Sequence, residues 1–100
     1  MAKIEILREP SSLRGRYVIQ LDGQSTAAEL TWVELASGTI AVDHTGVPDI
    51  YRGEGFGVLL VEHMVADARA RGLRVVPICP FVRMQYQRHP DWGDVFGDGA

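Results

Sequence analysis

The residues with the most chemistry in this chain are Arg52-Gly53-Glu54-Gly55-Phe56-Gly57, which run straight into Val58-Leu59-Leu60-Val61-Glu62-His63-Met64. Three glycines at alternate positions strip side chains from a turn that opens a helix. The first free N–H groups of that helix face open space, and its dipole adds partial positive charge there. Such a turn holds anions, phosphate or pyrophosphate foremost. Glycine also permits positive φ and lets a ligand approach the backbone closely. Arg52 adds a permanent cation at the mouth. Glu54 is expected to point to solvent, because a carboxylate there repels phosphates. The plain alternative is a turn that needs glycine for shape alone.

Two further side chains have chemistry to offer. Cys79 can act as an acyl-carrying nucleophile or as an acid toward a departing thiolate. It can equally be a small apolar filler, since free cysteine is among the most buried residue types. His44 has a near-neutral pKa suited to a general base that deprotonates an ammonium, although a histidine on an apolar face is often a packed residue with one satisfied nitrogen. Asp43 can orient a neighbour or simply supply strand polarity. Arg83 and Arg88 can reach a ligand's phosphates or form a solvated helix face. Trp32, Tyr86, His89 and Trp92 are read as core or covering residues.

The loop's spacing discriminates among phosphate ligands. The dinucleotide fingerprint G-x-G-x-x-G needs glycine at position 58, where Val58 stands, and no acidic residue follows at the required distance. The Gly-Lys-Ser/Thr of nucleotide hydrolases is absent. Arg-x-x-Gly-x-Gly does fit, as Arg52, Gly55 and Gly57. That pattern resembles the acetyl-coenzyme A signature of the GNAT superfamily of N-acetyltransferases. The stretch from His44-Thr45-Gly46-Val47-Pro48 through Cys79-Pro80-Phe81-Val82 is similar to compact single-domain members of that superfamily.

The resemblance implies a function. Acetyl-coenzyme A would place its pyrophosphate on Arg52, Gly53, Glu54, Gly55, Phe56, Gly57 and Val58, and its pantetheine arm along Thr45, Gly46 and Val47. An amine acceptor, small molecule or protein, would attack the thioester directly, with His44 or water as base and Cys79 as acid or acyl carrier. Compact relatives carry a cysteine in the same Cys-Pro-Phe context. Larger relatives insert two acceptor-shaping helices between the first two strands, where this chain has only Glu9 to Leu13. A non-catalytic module that binds coenzyme A or acyl-coenzyme A and regulates a partner is therefore the alternative.

Composition limits the class. One hundred residues, 46% apolar and 23% charged, describe one globular domain with an adequate core. The expected domain covers residues 1–96, with 97–100 frayed. One cysteine excludes an internal disulfide and a cysteine-based zinc site, and no metal is expected. A net charge of −3 without a basic run argues against nucleic acid as an obligate partner. No apolar run reaches membrane-spanning length and no leader is read at the start, so a cytoplasmic monomer or homodimer is expected.

The elements that must position these groups follow from periodicity. Ile4 and Ile6 alternate with charges over Lys3 to Arg8, and Pro10 breaks that strand. Tyr17, Ile19 and Leu21 alternate up to a hairpin signal at Asp22-Gly23. Ala28, Leu30 and Trp32 share one face of the return strand. Ser37-Gly38 then leads to a strand with Ile40, Val42 and His44 on one face. Val61, Val65 and Ala68 recur at helical spacing, widened by Leu60 and Met64, opposite a polar line of His63, Asp67 and Arg71. Gly72 ends that helix. Leu73 to Cys79 reads as a strand buried on both faces, with Pro77 removing a ladder donor. Phe81 to His89 reads as a short helix stopped by Pro90. The fold class is α+β, β-β-β-β-α-β-α. Four antiparallel strands precede a crossover helix and a parallel fifth strand, and the resemblance implies that strands four and five splay apart.

Overall fold

In the computed structural model, residues 6–10, 12–20 and 26–96 are described. Five strands form one sheet in sequence order: β1 (Ile6–Pro10), β2 (Arg14–Ile19), β3 (Ala28–Ala36), β4 (Thr39–Gly46) and β5 (Arg74–Pro77). The first four pair antiparallel, and β5 pairs with β4 in parallel. Helix α1 (Phe56–Arg71) makes the crossover between them, and α2 (Pro80–Arg88) and α3 (Gly93–Phe96) follow β5. The expected α+β order is found. The expectations at Lys3 to Glu5, Leu21, Asp22-Gly23 and residues 97–100 lie outside the described residues.

The inner face of the sheet carries Tyr17, Leu30, Trp32 and Val42, packed with Leu60, Val61, Met64, Val65 and Ala68 of α1 into one apolar core. Gly72 ends α1 in the left-handed region at φ 70°. Its N–H bonds Arg69 O at 3.3 Å and Leu73 N–H bonds Ala68 O at 2.8 Å, which is the paired closure that only a residue free of Cβ strain forms easily. Arg69 and Arg71 sit in the last turn, where the dipole favours cations. On the polar line of α1, His63 and Asp67 are half-buried and Arg71 is exposed. His63 meets the Tyr17 ring edge-on at 5.6 Å, and Asp67 receives the Tyr17 hydroxyl at 2.7 Å.

Three expectations change. His44 does not share a face with Ile40 and Val42, because Trp32 pairs with Val42 while Thr31 pairs with His44. Asp43 is the extra residue of a β-bulge, and one extra residue reverses the parity of everything after it. His44 is exposed, and Thr45 takes the inner face. The fifth strand is shorter than predicted and is not buried on both faces. Val75, Pro77 and Cys79 are buried, whereas Ile78 is 50% exposed. As the sheet's edge it pairs with β4 alone.

Pro77 also acts elsewhere than expected. Arg74 and Ile78 donate to Gly38 O and Val42 O, so even-numbered amides of β5 face β4 and position 77 faces the free edge. The alternation breaks after Ile78, because Cys79 N–H turns to the same Val42 oxygen. Strand β5 ends at Pro77, and Pro80 beyond it has no N–H with which to resume the ladder.

Past Pro90 the chain continues as a 3-10 turn over Pro90–Trp92 and then α3, neither of which periodicity announced. Tyr86 stacks on Phe96 at 4.4 Å and His89 on Trp92 at 4.2 Å. A two-point contact from Arg69 to Asp94, at 2.7 and 2.8 Å, ties α3 to α1.

The Tyr17–Asp67 bond links the sheet to α1, and Asp67 also pairs with Arg71 at 3.0 Å and Arg8 at 3.5 Å. Burial, then the bond to Asp67, holds the Tyr17 hydroxyl above its ordinary range. Burial also pushes the Asp67 carboxyl up, but bonds from Tyr17 and Arg71 outweigh it and hold the group below its usual value. A carboxyl depressed on folding stabilises above its unfolded pKa of about 4 and loses that contribution as pH falls further. Tyr17→Phe is expected to cost about 1–2 kcal/mol in urea denaturation at pH 7. Asp67→Asn should lower stability at pH 7 and flatten its decline below pH of about 4.

Candidate functional site

The ladder's end creates the site. Ile78 N–H and Cys79 N–H both reach Val42 O, at 3.0 and 2.9 Å, and Val42–Pro77 is the last paired position of β4 and β5. From there β4 runs on to Gly46 against β3, while the other chain turns away into α2, whose first residue is Pro80. The two segments diverge around a groove of about 420 Å³. Thr45 and Val47 form one wall and Phe81 lies across from them. Arg52, Gly53, Gly55, Phe56, Gly57 and Val58 complete the mouth together with Tyr51.

The start of α1 opens into this groove. Its first backward bond is Leu59 N–H to Gly55 O at 3.1 Å, so the amides of Phe56, Gly57 and Val58 have no carbonyl one turn back. Gly55 is the N-cap, with no side-chain cap, and holds φ 73°. Gly53 holds φ 88°, and both positions have open space where a Cβ would go. Their requirement is therefore conformational. At Gly57 the requirement is spatial, because a Cβ would stand 3.0 Å from Phe81 Cζ. Arg52 pairs with Asp49 at 2.8 Å, both groups being more than 80% exposed. An exposed pair of that kind contributes about 0–1 kcal/mol, so a phosphate competes for the guanidinium easily.

The structure thus brings Thr45, Val47, Arg52, Gly53, Gly55, Phe56, Gly57 and Val58 to one groove. Gly46 and Glu54 are not among its walls. Glu54 is exposed, and its N–H bonds Tyr51 O at 3.3 Å. Cys79 sits just behind the wall, 6% exposed, with Sγ 3.5 Å from Thr45 Oγ1. His44 is on the outer face, its Nε2 lying over Gly46, and it does not meet Cys79. Arg83 folds back to donate to Pro77 O and Ile78 O at 3.4 and 3.2 Å, so it braces the diverging segment.

Sequence reasoning missed Tyr51 and Phe81. Tyr51 lies in a 3-10 turn, Asp49–Tyr51, too short to have a period. Its buried hydroxyl donates to Thr26 O at 2.7 Å and its ring meets Phe56 at 5.2 Å. The Gly57–Phe81 contact joins residues 24 apart by number, and no local signal predicts it.

A sheet of four antiparallel strands plus one parallel strand, with a glycine-opened helix at the fork, is the architecture of an N-acetyltransferase-type domain. Residues 16–95 match the family model for GCN5-related N-acetyltransferases, and the chain belongs to that family. It is similar to the solution structure of a candidate GCN5-like N-acetyltransferase from Staphylococcus aureus, at 28% identity and a TM-score of 0.69, over 95% of this chain and 89% of that one. A comparison with curated proteins gave no match.

The glycines divide by mechanism. Gly53→Ala and Gly55→Ala should each cost about 1–2 kcal/mol in urea denaturation, because an L side chain is strained at positive φ. Gly57→Val leaves φ unstrained but must displace Phe81, which a change in Phe81 ring proton shifts would register.

Proposed function

We propose that the chain is an acetyl-coenzyme A-dependent N-acyltransferase that moves an acetyl group to an amine. The observation that carries this reading is the fork itself. An unpaired length of β4 backbone and the free amides of α1 open into one groove. The first suits the amides of a pantetheine arm by strand addition, and the second suits a pyrophosphate.

Acetyl-coenzyme A would supply the activated acyl group as a thioester. The chain's own part is to bind and orient. Amides of Phe56, Gly57 and Val58, with Arg52, hold the phosphates; backbone from Thr45 to Val47 pairs with the arm; Phe81 walls it. Holding the thioester in one pose accounts for much of the rate that positioning gives. Cys79, the chain's single thiol, lies behind the Thr45 wall and would act as the acid toward a leaving thiolate. His44, on the outer face, serves as base only toward an acceptor arriving from that side, and water serves otherwise.

The second reading, a module that binds coenzyme A without catalysis, has one specific observation in its favour. Among the described residues, no carboxylate or imidazole lines the groove. Calorimetry with acetyl-coenzyme A and mass spectrometry of mixed amines and peptides separate the two. Binding together with acetylated product is expected. Binding without product would favour the module, and absence of binding would overturn both. Gly57→Val should weaken binding at least about tenfold, the equivalent of one or two lost contacts. Full turnover by Cys79→Ala would remove the thiol from the chemistry.

A further inference from the structure

The contact behind the Thr45 wall of the groove depends on a residue on the other face of the sheet. Regular alternation from Ile40 and Val42 would put His44 inward and Thr45 outward. The bulge at Asp43 reverses this, and Thr45 Oγ1 then lies 3.5 Å from Cys79 Sγ. A bulge needs something to hold it, since the flanking register without an extra residue is always a competitor. That hold is Thr31. Its hydroxyl donates to Asp43 Oδ1 at 2.6 Å and lies 3.5 Å from His44 O, so it touches both residues of the bulge. The only other ion-pair partner of Asp43 among the described residues is Arg14, 4.0 Å away with its side chain 70% exposed. A short hydrogen bond to a carboxylate is among the stronger kinds, and the Arg14 pair is among the weaker.

We propose that Thr31 is a positioning residue. By fixing Asp43 in the bulge of β4, it turns Thr45 toward Cys79 and gives the groove the shape that accepts an acyl thioester. The inference rests on the function proposed above, yet its central claim, that Thr31 controls the Thr45–Cys79 contact, can be read without any cofactor. A slipped register moves Thr45 away from the thiol and leaves Cys79 less covered. The hydroxyl-to-carboxylate bond corresponds to roughly tenfold or more in the population of such a slipped form.

The test uses the whole chain. Native-state alkylation of Cys79 by iodoacetamide is timed by mass spectrometry for the unaltered chain, Thr31→Val, Thr31→Ser and Asp43→Ala. Thr31→Val keeps the β-branched shape and loses the hydroxyl; it should alkylate about tenfold faster, and Thr31→Ser should restore the original rate. Asp43→Ala breaks the same bond from its other end and should give the same acceleration, with no further gain in the double variant. Urea denaturation of each variant separates this local effect from global unfolding.

An unchanged alkylation rate in Thr31→Val and Asp43→Ala overturns the proposal, as does a rate that rises only in step with global instability. If the unaltered chain binds no acetyl-coenzyme A while the thiol rates behave as expected, the positioning role stands and the proposed function falls.

Discussion

Everything at the site depends on where the β4–β5 ladder stops. A parallel pair continues as long as every second residue offers an N–H to its neighbour. Arg74 and Ile78 do so, and Cys79 adds a second bond to the same Val42 oxygen. Position 80 is proline and offers nothing. Proline is suited to the first turn of a helix, and Pro80 begins α2. The pairing ends where the backbone turns at Ile78 and Cys79, and a proline at position 80 cannot resume it. The remaining length of β4 is left with an unpaired edge on that side. In most proteins such an edge is a liability; here it lies at the groove, where the proposed pantetheine arm would pair with it.

The groove is supported from three directions by interactions of different kinds. From below, Tyr17, Asp67 and the arginines around it fasten α1 to the sheet, which fixes where the helix N-terminus points. From the side, the Phe81 ring lies where a Cβ added at Gly57 would stand 3.0 Å from its Cζ, so a larger residue at position 57 must displace the ring. From behind, Arg83 bonds two carbonyls of the diverging segment. The loop glycines set conformation, Gly57 sets spacing, and the ion-pair network sets direction. These parts answer to separate residues.

Much of this was legible in the sequence. The amphipathic period of α1, its glycine stop, the strand alternation of Ala28, Leu30 and Trp32, and the Arg52–Gly57 loop are all local signals. Local signals follow from backbone sterics and burial within a few residues. The resemblance to the GNAT superfamily rested on that loop and on the Cys79-Pro80-Phe81 context, and the family match bears it out. The misreadings share one cause. The placement of His44 assumed unbroken alternation, and a bulge is invisible until the partner strand is known, because it is a mismatch between two strands rather than a property of one. Pro77 was expected to remove a donor where β5 meets β4, but its position faces the free edge, for a related reason. Which amides face β4 depends on register, and register is a relation between segments.

By itself, then, the sequence determined the order of the five strands and the first two helices, the apolar face of α1 and the glycine pattern of the 52–57 loop, because each arises from neighbours along the chain. The tertiary structure alone decided which side of β4 each residue occupies, that Thr45 rather than His44 meets Cys79, and that Tyr51 and Phe81 enclose the groove. Those outcomes depend on contacts between residues tens of positions apart. Packing and pairing set such contacts, and no local pattern encodes them.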